Sequence, residues 1–504
     1  MNKENLEKDR IEKLKSAVLK APRSICPERA VLWTRYFKVR KNRKKPPLVQ
    51  MAEALSFVLK EKTIKIYLNE LIVGNYTSKK VGGSIFPELH GVPVLLDILK
   101  FKKRKTNPLA VTGREIRKLL SIIPFWVFRF MAFKAYRNPF KKIKLIMDQL
   151  TARHYLLNEA GGIGHIAPDY KQLILLGTEG IKNRAKKYQE KVSAKSETWY
   201  FYESVSIICD GLAEFGKRYS ELAEKLAVDE KDSKRKKELL EISRICRNVP
   251  RNGATSFYEA VQSIFFAQIA INLESLDNGI SPGRMDEYLF PFYAEDLKKG
   301  TITREKAKEI LSCFSIKTSE IIPIFSEHLT NFHGGMFNGQ VITIGGVDST
   351  GKNSVNELSY IFLEIMNEHR MRQPNFHARI SECSTDEYLE KVYSSLASGS
   401  NSPAIYNDEV IIPTMVSNGY SIEDARDYTA IGCVEPVSQG RSLSSTDAAL
   451  FNVPVILEMA LNRGRRFGRI IKRGMKTDNV SQMKSTEDVK RAFECQLQFQ
   501  LERC

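Results

Sequence analysis

Apolar residues recur at two different spacings along the chain, and the change of spacing divides the chain into two regions. Over residues 1–250, apolar positions three and four apart predominate, as in the stretch 52–59, which is typical of amphipathic helices. Over residues 251–480, short apolar or alternating runs are separated by helical patterns. We therefore predict a mainly helical first region and a second region of strands connected by helices.

The second region alternates strand and helix signals. Strands are predicted at 340–347, 375–380, 403–406 and 429–431, with helices at 354–370, at 384–399 and, as a pair, before residue 428. This alternation is typical of parallel strands joined by crossover helices. The predicted fold class is therefore α/β, and reactive groups are expected at the carboxyl ends of the strands.

Two loops rich in glycine and proline interrupt the helical patterns. Residues 161–170 include His165, whose side chain can face a ligand because it lies in a loop. The alternative is that His165 has only a structural role. Residues 274–284 end in Ser-Pro-Gly-Arg and follow a helix that begins with a capping-box pattern at Ser256. Both loops bring hydrogen-bonding side chains to the end of a predicted element.

One stretch combines a thiol with a base. Residues 429–436 (Thr-Ala-Ile-Gly-Cys-Val-Glu-Pro) place Cys433 two positions before Glu435, in a predicted loop after a strand. A neighbouring carboxylate disfavours the thiolate, so this pairing favours a cysteine that carries a hydrogen atom over a nucleophilic cysteine. The alternative is a structural thiol, because a lone buried cysteine is usually an inert small hydrophobe.

Asp447 follows this stretch at the start of a helix predicted over 446–462. An acidic residue in the first turn is favoured by the helix dipole, which explains Asp447 without a catalytic role. From the residues alone, both interpretations of Asp447 stay open.

The net charge of +19 accompanies an otherwise ordinary globular composition. Basic stretches at 38–45 and 102–105 lack the interleaved aromatic residues of a nucleic-acid module. We interpret them as solvated faces, so no nucleic-acid partner is predicted.

The eight cysteines are scattered without a CxxC pair or metal-ligand spacing, which is typical of free thiols in a reducing compartment. The first ten residues are charged where a signal peptide is apolar. The most apolar window, 119–133, contains Pro124 and Arg129 and is too short to cross a bilayer. We therefore predict a cytoplasmic protein with no membrane partner and no metal.

The stretch around Cys433 resembles the thiyl loop of glycyl radical enzymes, the pyruvate formate-lyase-like superfamily, and most closely its B12-independent glycerol and diol dehydratase branch. The similarity lies in Gly-Cys-Val-Glu-Pro at 432–436 and Thr-Asp-Ala-Ala-Leu-Phe-Asn at 446–452. Further segments agree: Pro-Glu-Arg-Ala at 27–30, Glu-Leu-Ile-Val-Gly-Asn at 70–75, Gly-His at 164–165, Ser-Pro-Gly-Arg at 281–284 and Ile-Gly-Gly-Val-Asp at 344–348. The resemblance implies a ten-stranded β/α barrel of two five-stranded parallel halves, surrounded by helices, over the whole of 1–504.

The resemblance also implies roles for site residues. In the family's dehydratases a stored glycyl radical converts the loop cysteine to a thiyl, which removes a hydrogen atom from a hydroxyl-bearing carbon. The loop glutamate accepts the hydroxyl proton, and the adjacent hydroxyl leaves as water. By resemblance, Cys433 is the thiyl and Glu435 the base, and Asp447 with His165 binds the substrate hydroxyls and assists departure of water.

One departure from the family lies in the loop before Ser-Pro-Gly-Arg. Glycerol dehydratases have His-Ser where this chain has Asn278 and Gly279, preceded by Asp277. The implied substrate-binding residues here are Asp277, Asn278 and Ser281. Loss of an imidazole and a hydroxyl leaves substrate oxygens differently paired, which can change discrimination by orders of magnitude. The expected substrate is a small diol-like molecule, without glycerol being implied.

A second departure concerns the glycyl radical domain. The family's Arg-Val-x-Gly-Tyr/Phe-type motif does not occur in the sequence, and the helix predicted after Ser485 has no stop signal before Cys504. We expect a truncated chain that is inactive alone and binds no cofactor. The glycyl radical would be installed on the missing domain by a radical S-adenosylmethionine activating enzyme. The expected protein partners are this activase, a second copy in a homodimer, or a separate glycyl-domain protein.

Two alternatives to a hydro-lyase stay open. Within the superfamily, a formate C-acetyltransferase is disfavoured because it uses two adjacent cysteines, whereas Gly432 and Val434 flank Cys433. From a different class, the chain is a non-catalytic remnant or one half of a split enzyme.

Overall fold

The computed structural model describes residues 3–89, 94–95, 97–130, 155–157, 164–275, 279–332, 338–399, 402–432, 434–442, 449–468, 470 and 474–502. The backbone forms two compact units. The first consists of Met1–Val127 and Gly162–Ser445, and the second of Phe128–Gly161 and Thr446–Cys504.

The first unit contains most of the helices. Its α-helices are α1 (Lys3–Lys20), α2 (Glu28–Lys38), α3 (Pro47–Glu61), α4 (Gly113–Leu120), α5 (Ile123–Trp126), α6 (Tyr170–Gln189), α7 (Glu197–Asp229), α8 (Ser233–Asn248), α9 (Phe257–Glu274), α10 (Met285–Tyr288), α11 (Phe290–Lys298), α12 (Arg304–Thr318), α13 (Glu327–Phe332), α14 (Glu357–His369), α15 (Asp386–Ala397), α16 (Asp408–Ser417) and α17 (Ile422–Arg426). Helices make up most of the described part of residues 1–250.

Side-chain caps fix where several of these helices begin. Ser256 accepts a hydrogen bond from the Glu259 amide at the start of α9, as the sequence predicted. The helix predicted at 384–399 begins at Asp386, because the Thr385 hydroxyl accepts from the Tyr388 amide and caps it. This side-chain cap therefore fixes the start of α15.

Strands of the first unit form small sheets. They are β1 (Ser24–Cys26), β2 (Gly82–Ser84), β4 (Val341–Gly345), β5 (Asn375–Ile380), β6 (Ala404–Asn407), β7 (Tyr428–Ile431) and β8 (Glu435–Ser438), and β3 belongs to the second unit. β4, β5 and β6 lie side by side and run parallel, with α14 and α15 connecting them. The predicted alternation of parallel strands and crossover helices is confirmed for these three strands.

Isolated bridges extend this sheet beyond β4. Gly283 pairs in parallel with Ile342, and Ile280 pairs in parallel with Ile166. The amide of Thr343 donates to Gly283 O, and the amide of Gly283 donates to Val341 O. The two predicted loops therefore run as extended segments beside the sheet.

A second group of parallel segments surrounds β1 and β2. β1 pairs with β2 in parallel, Ser24 also pairs with Ala110, and Gly82 also pairs with Ile321. Within the described ranges, no backbone ladder joins this group to the group around β4. Two separate groups of parallel segments are consistent with the two parallel halves expected from the sequence.

The two faces of the β4–β5–β6 sheet differ in chemistry. Ile344 and Ala378 belong to the large hydrophobic core shared with the helices. Successive residues of a strand point to opposite faces, so Thr343, His377 and Arg379 share the other face, which we call the inner face. These polar side chains are also buried. The inner face is therefore a buried polar surface.

β7 and β8 form an antiparallel hairpin, with Ile431 opposite Glu435 and Tyr428 opposite Ser438. The sequence predicted β7 as a strand of the parallel series followed by an open loop. That part of the prediction is wrong, because Pro436 and its neighbours return along β7 as a second strand. Gly432 and Val434 lie at the tip of this hairpin.

The second unit contains β3 (Tyr155–Leu157), β9 (Ala449–Phe451), α18 (Val453–Leu461) and α19 (Thr486–Leu501). β3 and β9 pair antiparallel. The predicted helix 446–462 is therefore wrong over 449–451: those residues form a strand, and α18 begins only after the Asn452 cap. The predicted Ser485 cap of α19 is confirmed.

Two further observations concern the cysteines and the apolarity of the helices. Of the cysteines in the described ranges, Cys26, Cys209, Cys246, Cys313, Cys383 and Cys495 are free thiols. No helix in the part of the chain that the structure describes combines the length and apolarity needed to cross a bilayer.

Candidate active site

The base of the β7–β8 hairpin is fixed by a buried ion pair. Arg379 on the inner face donates to Asp408 through Nε at 2.9 Å and Nη2 at 2.8 Å. Its Nη1 donates to Tyr428 O at 2.9 Å, and the Tyr428 hydroxyl donates to Asp408 Oδ1 at 2.7 Å. A two-pronged guanidinium–carboxylate contact is both strong and geometrically specific. The first residue of β7 is therefore held against β5.

The middle of the hairpin is fixed by a pair of threonines. The Thr429 hydroxyl donates to Thr343 Oγ1 at 2.7 Å, and the Ala430 amide also donates to Thr343 Oγ1 at 3.3 Å. All three residues are buried. Strand β7 is therefore held against the inner face at Thr343.

At the tip, the Glu435 carboxylate is held on both oxygens. Oε1 lies 3.0 Å from His165 Nδ1, and Oε2 accepts from the Val434 amide at 3.0 Å. Burial raises the pKa of Glu435, but the hydrogen bonds from His165 and Val434 lower it by a larger amount, so the pKa falls from 4.5 to about 2. Because an ionised carboxylate can only accept, Nδ1 of His165 carries the proton of this hydrogen bond. Glu435 is therefore a fixed, ionised carboxylate.

Two glycines leave room for the His165 ring. A Cβ on Gly279 would overlap His165 Cδ2, and a Cβ on Gly432 would overlap His165 Nδ1. Gly432 also has φ +54°, in the left-handed region that favours glycine. The glycine that begins the Cys433 loop is thus required by the histidine that binds Glu435.

The backbone around His165 is fixed by its neighbouring segment. The Ile166 amide donates to Gly279 O at 2.9 Å, and the Ser281 amide donates to Ile166 O at 2.9 Å. Ser281 is fully buried, and its hydroxyl donates to Gly339 O at 3.0 Å. The same hydroxyl accepts from the Val341 amide at 3.2 Å, so the backbone uses its proton and one of its two lone pairs.

The sequence as a whole matches one family. The family model described as pyruvate formate lyase-like matches residues 2–504. The chain belongs to the pyruvate formate lyase-like family.

Relatives with assigned activities include several lyases. Isethionate sulfite-lyase from Oleidesulfovibrio alaskensis is 31% identical over 498 residues, covering 94% of this chain and 59% of that protein. Trans-4-hydroxy-L-proline dehydratase from Clostridioides difficile is 29% identical, covering 98% of this chain and 63% of that protein. The chain therefore spans about 60% of the length of these relatives.

Solved structures of the family share the fold. The glycerol-bound B12-independent glycerol dehydratase from Clostridium butyricum has a TM-score of 0.92 at 33% identity, covering 98% of this chain and 62% of that one. A glycyl radical enzyme from Archaeoglobus fulgidus has a TM-score of 0.91 at 34% identity, covering 98% of this chain and 63% of that one. The predicted α/β class of the pyruvate formate lyase-like barrel enzymes is confirmed.

Of the residues predicted for the site of this pyruvate formate lyase-like protein, the structure brings His165 and Glu435 into direct contact. Ser281 lies on the extended segment that pairs with the His165 segment. The remaining predicted residues lie outside the described residues: Cys433, Asp447, Asp277 and Asn278.

Sequence reasoning missed the inner-face residues that hold the hairpin. Thr343, Arg379 and Asp408 were not proposed, although each is buried and binds β7 or its partner. The strand signal at 375–380 contained the necessary information, since His377 and Arg379 alternate with Phe376 and Ala378. Buried polar residues at period two are typical of a strand that faces a polar interior.

We expect His165→Phe to raise the pKa of Glu435 from about 2 toward or above 4.5, because burial then acts against fewer hydrogen bonds. In the wild type, the carboxylate stays ionised as the pH falls from 7 to 4; in the variant, it titrates within that range. The stabilisation that the low pKa provides is present above 4.5 and is lost as the pH falls through about 2.

The measurement is a carbon-13 NMR titration of glutamate-labelled protein, with Glu435→Gln to assign the signal. His369→Phe is the matched control, because His369 is a buried histidine on α14. An unchanged Glu435 signal at pH 4 in His165→Phe would contradict the prediction.

Proposed function

We propose that this chain is the substrate-binding part of a glycyl-radical-dependent lyase that removes water from a small diol-like substrate. The observation that carries the proposal is the hairpin tip, where His165 and the Val434 amide hold an ionised Glu435 two positions from Cys433. A reaction in which Cys433 transfers a hydrogen atom and Glu435 accepts a proton requires this arrangement. Membership of the family supports it.

A glycyl radical, if installed by a radical S-adenosylmethionine activase, would supply the hydrogen-atom acceptor that converts the Cys433 thiol to a thiyl. Cys433 then takes a hydrogen atom from the hydroxyl-bearing carbon. Loss of that atom makes the hydroxyl more acidic, and the ionised Glu435 accepts its proton. The C–O bond of the adjacent carbon then breaks, and the departing hydroxyl becomes water by taking a proton back from the protonated Glu435, with Asp447 and His165 binding the substrate hydroxyls. The carbonyl-containing radical that remains takes a hydrogen atom from the Cys433 thiol, which gives the product and restores the thiyl.

The low pKa of Glu435 keeps its carboxylate ionised at neutral pH, and His165 holds its oxygen in one place. Such a carboxylate is a weaker base than one whose pKa lies near the operating pH, so proton transfer depends on the greater acidity of the hydroxyl once its carbon has lost a hydrogen atom. The Val434 amide, on the residue next to Cys433, ties the base to the thiol loop. Glu435 therefore keeps its position relative to that loop.

The test is anaerobic activation, with a radical S-adenosylmethionine activase, of this chain expressed together with a glycyl radical domain, whose motif the sequence does not contain, followed by electron paramagnetic resonance and product analysis. We expect a glycyl radical signal and conversion of at least one member of a panel of diols and amino alcohols to a carbonyl product. Pyruvate with coenzyme A is the control for acyl transfer. A radical signal without dehydration of any panel member, or no radical signal at all, would contradict the proposal.

A further inference from the structure

His377 is a buried polar side chain that the proposed chemistry does not use. It lies in β5 on the inner face and is 4% exposed. Among the described residues its Nδ1 has no hydrogen-bond partner. A buried polar group without a partner costs free energy, so an unpaired nitrogen at this place requires an explanation.

The His377 ring is held in position by Tyr406. The two rings stack with centroids 5.0 Å apart and planes inclined by 25°. Tyr406 lies on β6, the strand parallel to β5. Stacking fixes the plane of the imidazole, so its nitrogens have a defined direction.

His377 lies beside the residue that binds the β7–β8 hairpin. Its neighbour across the sheet is Thr343, which binds Thr429 and Ala430 of β7. Burial lowers the pKa of His377 to about 4, although the negative charge of Glu435 acts in the opposite direction. The imidazole is therefore uncharged at neutral pH and offers one donor and one acceptor nitrogen.

We propose that His377, oriented by Tyr406, binds an uncharged polar group on the substrate carbon next to the diol. This inference rests on the proposed function, in which Glu435, His165 and Asp447 already serve the two reacting hydroxyls. A third hydroxyl can either donate to or accept from a neutral imidazole, so it satisfies Nδ1 in either tautomer. The substrate class is a three-carbon diol with a third hydrogen-bonding substituent.

The test compares two ligands that differ by one hydroxyl, glycerol and propane-1,2-diol, in calorimetric titrations of the non-radical protein. We expect the wild type to bind glycerol about tenfold more tightly, which is the effect of one hydrogen bond to a buried partner. His377→Phe removes this preference by weakening glycerol binding. His377→Gln keeps it to within about threefold, because an amide restores a donor and an acceptor.

His369→Phe is the matched control. His369 is also a buried histidine, its Nε2 has no hydrogen-bond partner within the described ranges, and burial lowers its pKa to about 4. It lies on α14 rather than on the inner face, so its replacement leaves the glycerol preference unchanged. Circular dichroism establishes that each variant is folded.

The outcomes separate this inference from the proposed function. If His377→Phe keeps the preference, or if the wild type binds both ligands equally, the role of His377 is refuted. Dehydration of diols by the activated protein would then still support the proposed function. If the wild type binds no diol and dehydrates none, both proposals are refuted.

Discussion

We expect Glu435→Gln to lower kcat for the diol substrate by about 10²- to 10⁴-fold, the range typical for loss of a general base. Glutamine preserves the shape of the side chain and its oxygen can still accept from His165, but a neutral amide cannot accept the proton of the substrate hydroxyl. KM should change much less than kcat, because the residue then fails in the chemical step and the site stays filled.

The measurement combines steady-state kinetics with radical quantification. Cys433→Ala is the reference for complete loss: it should retain the glycyl radical signal and form no product. Glu387→Gln, on the exposed surface of α15, makes the same chemical change away from the site and should leave kcat unchanged. Retention of more than a tenth of wild-type kcat by Glu435→Gln would exclude Glu435 as the base.

The elements that the sequence predicted well are those set by local signals. The cap at Ser256 and the strand β5 were predicted correctly. Both depend only on residues a few positions apart: a hydroxyl that caps an amide three residues later, and a short run of alternating apolar and polar residues. The parallel order of β4, β5 and β6 followed from the lengths of the helices between them.

One element that the sequence missed depends on a partner far away in the chain. β9 contains Ala, Leu and Phe, which fit a helix equally well, and pairing with β3 decides for the strand. The β7–β8 hairpin was missed for a different reason, since its partner strand is local: the residues after β7 were predicted as a loop. Antiparallel edge strands accept a proline, since its missing amide need not donate.

The contact between His165 and Glu435 shows what the sequence predicts and what it does not. His165 and Glu435 were each proposed as site residues, yet they are 270 positions apart and nothing local predicts that they bind each other. The glycines that admit the His165 ring were visible in the sequence, but their reason was not. The pKa of Glu435 follows from this contact and from the Val434 amide, so it could only be obtained from the structure.

The second large effect is expected for the ion pair at the base of the hairpin. Arg379→Met should lower the free energy of unfolding by about 3–5 kcal/mol, the range typical for breaking a buried ion pair on one side. Both partners are almost fully buried, at 0% and 2% side-chain exposure, so Asp408 would keep an uncompensated charge. The Tyr428 carbonyl would lose its donor as well, which releases the start of β7.

Urea denaturation of Arg379→Met, Arg304→Met and the double variant Arg379→Met with Asp408→Asn tests this expectation. Arg304 also binds a carboxylate, that of Glu364 at 2.6 Å, but the two side chains are 34% and 36% exposed, so its loss should cost less than about 1 kcal/mol. The double variant removes the stranded charge and should recover part of the stability lost in Arg379→Met. Equal losses for Arg379→Met and Arg304→Met would show that the hairpin does not depend on this pair. The position of Glu435 would then have to be set by His165 and the threonine pair alone.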